Sequence, residues 1–140
     1  EKLREDILGR LTVIESMVSF VEERSPQTIA EYTERLKQRI REFLENREID
    51  ESRLLTEVAI FADKVAVDEE TVRLRSHISQ FRELIMGGSP VGRKLDFLIQ
   101  EFNREVNTIG SKCSDGAIAR TVVELKAEIE KIREQIQNIE

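Results

Sequence analysis

The run VGRKLDFLIQEFNREVNTIGSK, residues 91–112, carries two patterns at once. At 100° per residue, Val91, Leu95, Leu98, Ile99, Phe102, Val106 and Ile109 fall on one side and predict a buried helical stripe. Opposite them lie Arg93, Gln100, Arg104, Asn107 and Ser111, flanked by Asp96 and Asn103. A merely solvated face would be mostly Lys and Glu. Amides and guanidinium groups are directional hydrogen-bonding groups, so this face is built to hold something polar.

The surrounding chain extends the helical pattern. Of its 140 residues 36% are charged and only 5% aromatic, with 2 Pro and 6 Gly, which fits long helices that bury a narrow apolar seam. Leu3, Ile7, Leu11, Ile14, Val18 and Val21 predict a helix over 2–24, and Ser25-Pro26 is expected to end it. A second helix over 27–46 would face Ile29, Leu36, Ile40 and Phe43 inward, making an antiparallel hairpin. Residues 51–86 contain neither Gly nor Pro. Their stripes, Leu54-Val58-Phe61-Val65 and Leu74-Ile78-Phe81-Ile85, are out of phase, so one long central helix would bend or rotate its buried face near Val65–Asp68. GGSPVG then breaks the chain before a helix over 91–110. Ser114 or Asp115 is expected to cap a last helix over 115–139, and Asp50 the central one. In the last helix Ile118, Val122, Leu125, Ile129, Ile132, Ile136 and Ile139 alternate four-three as a heptad seam, whose expected role is packing against a partner helix. The fold class is all-α: a single domain of elongated antiparallel hairpins, with a long central helix and a C-terminal heptad helix.

Charge and composition exclude several function classes. A net charge of -6 is not that of a polycation that grips nucleic acid by bulk electrostatics. No apolar run approaches the roughly 20 residues that span a bilayer. EKLRED does not resemble a signal peptide, and the single Cys113 offers neither an internal disulfide nor a plausible zinc site. A cytoplasmic setting is therefore expected. Because the chain opens on Glu, a segment of a longer protein is also expected. Phosphate loop, dinucleotide loop, CxxC, HExxH and nucleophile elbow are all missing.

Two places can carry chemistry. His77, the only histidine, follows Asp68-Glu69-Glu70, with Glu70 and Arg73 on its own helical face. A histidine beside carboxylates can bind a divalent ion or act as general acid/base, and it can equally be a surface residue in a salt-bridged helix. On the 91–112 helix, Glu101 and Glu105 share a face, where they can ligate Mg²⁺ or Mn²⁺ or simply pair with Lys94 and Arg104. Arg93 and Arg104 suit bidentate phosphate contacts. A polar layer fixing the register of two helices would use the same residues. Any enzymatic chemistry is narrowed to metal-assisted or acid/base attack on a phosphodiester.

VGRKLDFLIQEFNREVNTIGSK together with VELKAEIEKIREQIQNIE closely resembles the C-terminal part of the YicC/YloC family of bacterial proteins. EETVRLRSHISQF and RSPQTIAEYTERL are similar to its upstream segments, so the resemblance covers essentially the whole chain. It implies the C-terminal helical domain of an oligomeric endoribonuclease that cleaves single-stranded RNA with a divalent metal, manganese in particular, and whose N-terminal part is an α/β domain. The matching positions are Glu69, Glu70, Arg73, His77, Arg93, Asp96, Gln100, Glu101, Asn103, Arg104, Glu105, Asn107, Ser111 and Lys112. Similar proteins often have Arg-x-Asp where this chain reads Lys64-Val65-Ala66, which removes a potential ligand at position 66.

The expected roles follow. His77, Glu70, Glu101 and Glu105 are the catalytic candidates, and Asp96, Glu101 and Glu105 the ligands of Mn²⁺ or Mg²⁺. Arg93, Gln100, Asn103, Arg104, Asn107, Ser111 and Lys112 are the RNA contacts. Expected partners are RNA, further copies of the chain and the N-terminal domain, with no membrane and no DNA; these residues alone are expected to be inactive. The rival class is a structural oligomerisation domain or a ribonuclease adaptor with no catalytic residues of its own, favoured by the heptad seam and the acidity.

Overall fold

The computed structural model describes residues 2–45, 48–88 and 92–139. Among them are five helices and no strand: α1 (Lys2–Leu44), α2 (Glu51–Val65), α3 (Asp68–Met86), α4 (Gly92–Lys112) and α5 (Gly116–Ile139). The first part of α1 packs with α3, α4 and α5 as a closed ring in which α1 touches both α3 and α5. Ion pairs fix the directions. Glu15 and Glu22 of α1 meet Arg82 and Arg75 of α3, while Arg10 and Arg24 meet Glu128 and Asp115. Numbers rise along one helix as they fall along its neighbour, so the ring is antiparallel throughout. The all-α expectation holds.

Apolar stripes close the ring. Ile7, Leu11, Ile14, Val18 and Val21 meet Leu74, Ile78, Phe81 and Ile85, together with the predicted stripes of α4 and α5, in one buried core. Phe81 and Phe102 lie at its centre with ring centroids 5.5 Å apart. The heptad seam of α5 is buried from Ile118 to Ile136. Its partner helices are α1 and α4 of the same chain. Ile139, its last position, and Val91, the first of the α4 stripe, lie outside the residues whose side chains are described.

Three boundaries differ from expectation. Ser25-Pro26 does not end a helix, because α1 continues through Pro26 to Leu44. The buried spacing Ile14, Val18, Val21, Ser25, Thr28 runs on across the proline without a change of phase. Packing of that stripe thereby outweighs the roughly 3 kcal/mol a helix-interior proline costs. The antiparallel pair expected from 2–24 and 27–46 is therefore one helix, roughly 64 Å long. Its second half packs instead on α2, where Tyr32 and Phe61 stack at 3.8 Å. The two form an arm beyond the ring, and Phe43, expected inward, is 86% exposed on it.

The expected long central helix is two, broken at Ala66-Val67. Ala66 is extended (ψ 126°), which turns Val67 into the core and lets the second stripe start in its own phase. Finally, α4 runs past Gly110 to Lys112. Gly110 is there for proximity rather than termination: a Cβ on it would lie 3.2 Å from Val122 of α5. Asp50 and Asp115 are caps as expected, accepting from the amides of Arg53 and Ile118.

Truncating Phe81 to Ala should cost about 3–5 kcal/mol of stability, read from the urea midpoint. The bundle should also weaken in acid. Hydrogen bonds from Arg82, Arg75 and Arg24 hold Glu15, Glu22 and Asp115 below their usual carboxylate range. A depressed folded pKa contributes stability that is present above the unfolded value and lost as pH falls through the folded one. Melting temperature should therefore drop below about pH 4, and less steeply in an Arg75→Met/Arg82→Met double variant.

Candidate active site

The facing sides of α3 and α4 form a polar seam built from two helical repeats. On α3, Glu70, Arg73 and His77 are three and four residues apart; on α4, Glu101, Glu105 and Lys112 are four and seven apart. Both sets lie on one face of their helix. Antiparallel packing sets them opposite each other in reverse order. His77 Nε2 stands 3.8 Å from Glu101, Arg73 Nε donates to Glu105 at 2.9 Å, and Lys112 Nζ reaches both oxygens of Glu70 at 3.2 and 3.1 Å.

Burial separates the roles. The Glu70 and Glu105 side chains are 3% and 4% exposed, and ionised carboxylates so placed need paired cations and hydrogen bonds. Arg73 supplies them to both, bonding Glu70 at 3.3 Å as well as Glu105. The Glu105 hydrogen bond in turn raises the Arg73 pKa, keeping the guanidinium charged. Lys112 also donates to the carbonyl of Ala66 at 3.3 Å, so it satisfies a backbone group freed by the α2/α3 break. Glu70, in the first turn of α3, further benefits from the positive end of that helix.

At mid-seam, ligand atoms of His77, Glu101 and Glu105 all lie within 4.8 Å of one another. His77 Nδ1 is buried without a hydrogen-bond partner, while Nε2 faces the carboxylate. One imidazole and two carboxylates are a donor set suited to a divalent ion. Arg104, 75% exposed, stands 3.8 Å from Glu101 at the rim. Beyond Lys112 the seam opens into a cleft lined by Asp63, Ala66, Asp68 and Glu69.

The seam thus unites His77, Glu70, Glu101, Glu105, Lys112 and Arg104, but it leaves other candidates elsewhere. Asp96 acts on Arg133 of α5, on the far side of α4, and is not brought to the other two expected ligands. Gln100, Asn107 and Ser111 are exposed on the outer face, Ser111 donating to the Thr108 carbonyl, and Asn103 is half-buried. Arg93 sits at the other end of the seam, beside Lys94 and Phe97. The outer polar face of α4 is therefore not where the ionisable groups converge. The part Arg73 plays as shared counter-ion escapes a sequence reading, because a lone sequence cannot show which helix lies opposite. The i, i+4, i+11 spacing of Glu101, Glu105 and Lys112 is the signal that could have found it.

Fold and seam define an antiparallel helical bundle with a charged, histidine-bearing cleft between two of its helices. A family model described as Endoribonuclease YicC-like, C-terminal, matches residues 21–140, and the chain belongs to that family. It is 52% identical over 141 residues to the "Probable endoribonuclease YicC" of Clostridioides difficile (strain 630), covering 100% of this chain and 48% of that protein. It is 40% identical over 140 residues to the protein of the same name in Haemophilus influenzae, with the same coverage. The chain thus spans about half the length of these relatives.

Replacing Lys112 by Met leaves Glu70 buried with Arg73 alone and the Ala66 carbonyl without its donor. Stability should fall by about 2 kcal/mol, below the range for a fully buried pair because Lys112 is about a third exposed. An unchanged urea midpoint would show that the cluster is not holding the break.

Proposed function

We propose that the α3/α4 seam is the catalytic cleft of an endoribonuclease that cleaves single-stranded RNA with a divalent ion, Mn²⁺ or Mg²⁺. The observation that carries it is the convergence of His77, Glu101 and Glu105 from two helices within 4.8 Å. The relatives' description as probable endoribonucleases supplies the substrate class. His77, Glu101 and Glu105 would hold the ion, which when bound supplies positive charge against the phosphodiester and lowers the pKa of water. Arg73 acts as a positioning residue that holds Glu105 in place, and Glu70 in turn holds Arg73. Arg104 at the rim, with Lys112 beyond the cluster, presents cations for RNA phosphate. A cytoplasmic setting belongs to the same proposal, since that is where such an enzyme would meet RNA. No helix of the described residues is long and apolar enough to cross a membrane.

One observation favours an assembly role beside the catalytic one. Phe43, Leu55 and Ile60 on the α1/α2 arm are 86%, 67% and 50% exposed, more apolar surface than an isolated hairpin gains by showing. Contacts to further copies, or to the remainder of a full-length protein, would cover them.

In the full-length protein, His77→Ala and Glu101→Gln should each lower kcat on single-stranded RNA by about 10²- to 10⁴-fold, with unchanged melting. Mn²⁺ binding by calorimetry should weaken in both. Wild-type cleavage rates in the two variants would overturn the site and return the bundle to a scaffold.

A further inference from the structure

At the end of the α3/α4 seam opposite Lys112 lies an open hollow lined by Gln80, Leu84, Arg93, Lys94, Phe97 and Leu98. Leu98 is its buried floor, and Phe97, 57% exposed, is its wall. Among the described residues of α4, Phe97 is the one large apolar side chain left exposed. In a chain with net charge -6, this hollow is lined by two cations and no carboxylate. Phe97 is also one turn from Glu101 on the same face of α4, roughly 6 Å along the axis. The hollow therefore continues the line of the candidate cleft rather than lying apart from it.

We propose that this hollow is a nucleotide subsite, where a base flanking the scissile phosphate stacks on Phe97 and its phosphate is held by Arg93 and Lys94. Surfaces that bind single-stranded nucleic acid pair cations along the backbone with aromatic rings under the bases, and they tolerate sequence because every base has a π face. Phe97, one turn from Glu101, and Arg93 and Lys94, about two turns from it, reproduce that combination. The subsite rests on the ribonuclease reading of the seam. It assigns Phe97 as a positioning residue, and Arg93 as a phosphate contact outside the charge cluster.

The test uses the full-length protein and a single-stranded oligoribonucleotide carrying 2-aminopurine beside the cleavage position. Phe97→Ala should raise KM about 10- to 100-fold while kcat changes far less, and Phe97→Tyr should retain wild-type KM. Stacking should quench 2-aminopurine in wild type and not in Phe97→Ala. An abasic nucleotide at that position should weaken wild type and add nothing to Phe97→Ala. If wild type cleaves and Phe97→Ala does so with unchanged KM, the subsite is overturned and the nuclease reading stands. Unchanged KM with a changed particle mass in light scattering also overturns it, because the ring then covers a protein contact. Failure of wild type to bind or cleave RNA would instead remove the nuclease reading and the subsite with it.

Discussion

A carboxylate buried at a helix start organises the part of this molecule that matters for chemistry. Glu70 lies in the first turn of α3, held by Lys112 from α4 and Arg73 from its own helix. A buried ionised carboxylate is tolerated only when its partners are fixed, so the ends of two helices are tied to it. Lys112 spans from Glu70 to the Ala66 carbonyl and draws the α2/α3 break into the same cluster. Arg73 bridges Glu70 to Glu105, which places the second buried acid beside His77 and Glu101. Removing the first carboxylate would leave Lys112 and Arg73 without their common partner.

The ring and the seam use different physics. Leu, Ile, Val and Phe stripes supply the burial that holds α1, α3, α4 and α5 together, and those forces are indifferent to register at the scale of a hydrogen bond. Directional pairs supply what burial does not. Arg75–Glu22, Arg82–Glu15, Arg24–Asp115 and Arg10–Glu128 index α1 against its two neighbours. The seam pairs do the same for α3 and α4, with the difference that one of their members is a histidine.

Periodicity makes the helices, the core and the α5 seam legible from the sequence, because buried positions at three-four spacing report one face directly. Asp50 and Asp115 are legible as caps for the same local reason. Breaks are harder. Pro26 is a strong local signal, but the stripe Val21–Ser25–Thr28 is carried by tertiary contacts that a local rule does not contain. The phase change between the Val65 and Leu74 stripes does mark a discontinuity. Whether a long helix bends or breaks there depends on Val67 reaching the core and Lys112 meeting Ala66, contacts with residues distant in sequence. The site divides along the same line. His77, Glu70, Glu101 and Glu105 are recognisable by type and spacing, whereas Asp96 shares a helix with two of them but acts on α5. By type alone, Phe97 is one more apolar residue of α4; only its exposure sets it apart.

The unbroken α1 gives the arm an unusual mechanical standing. Its second half is the continuation of a rod whose first half is cemented into the core, and α2 returns from the tip to the break at Ala66. The arm is therefore anchored to the bundle at two points, one a stiff helix and the other a short extended joint. Pro26 lacks an amide proton and leaves the rod one internal hydrogen bond short where it leaves the ring. Leverage applied to the tip is thus directed to two places: a weakened turn of α1, and the peptide whose oxygen Lys112 grips. The lever's fulcrum and the ion cluster share a single residue.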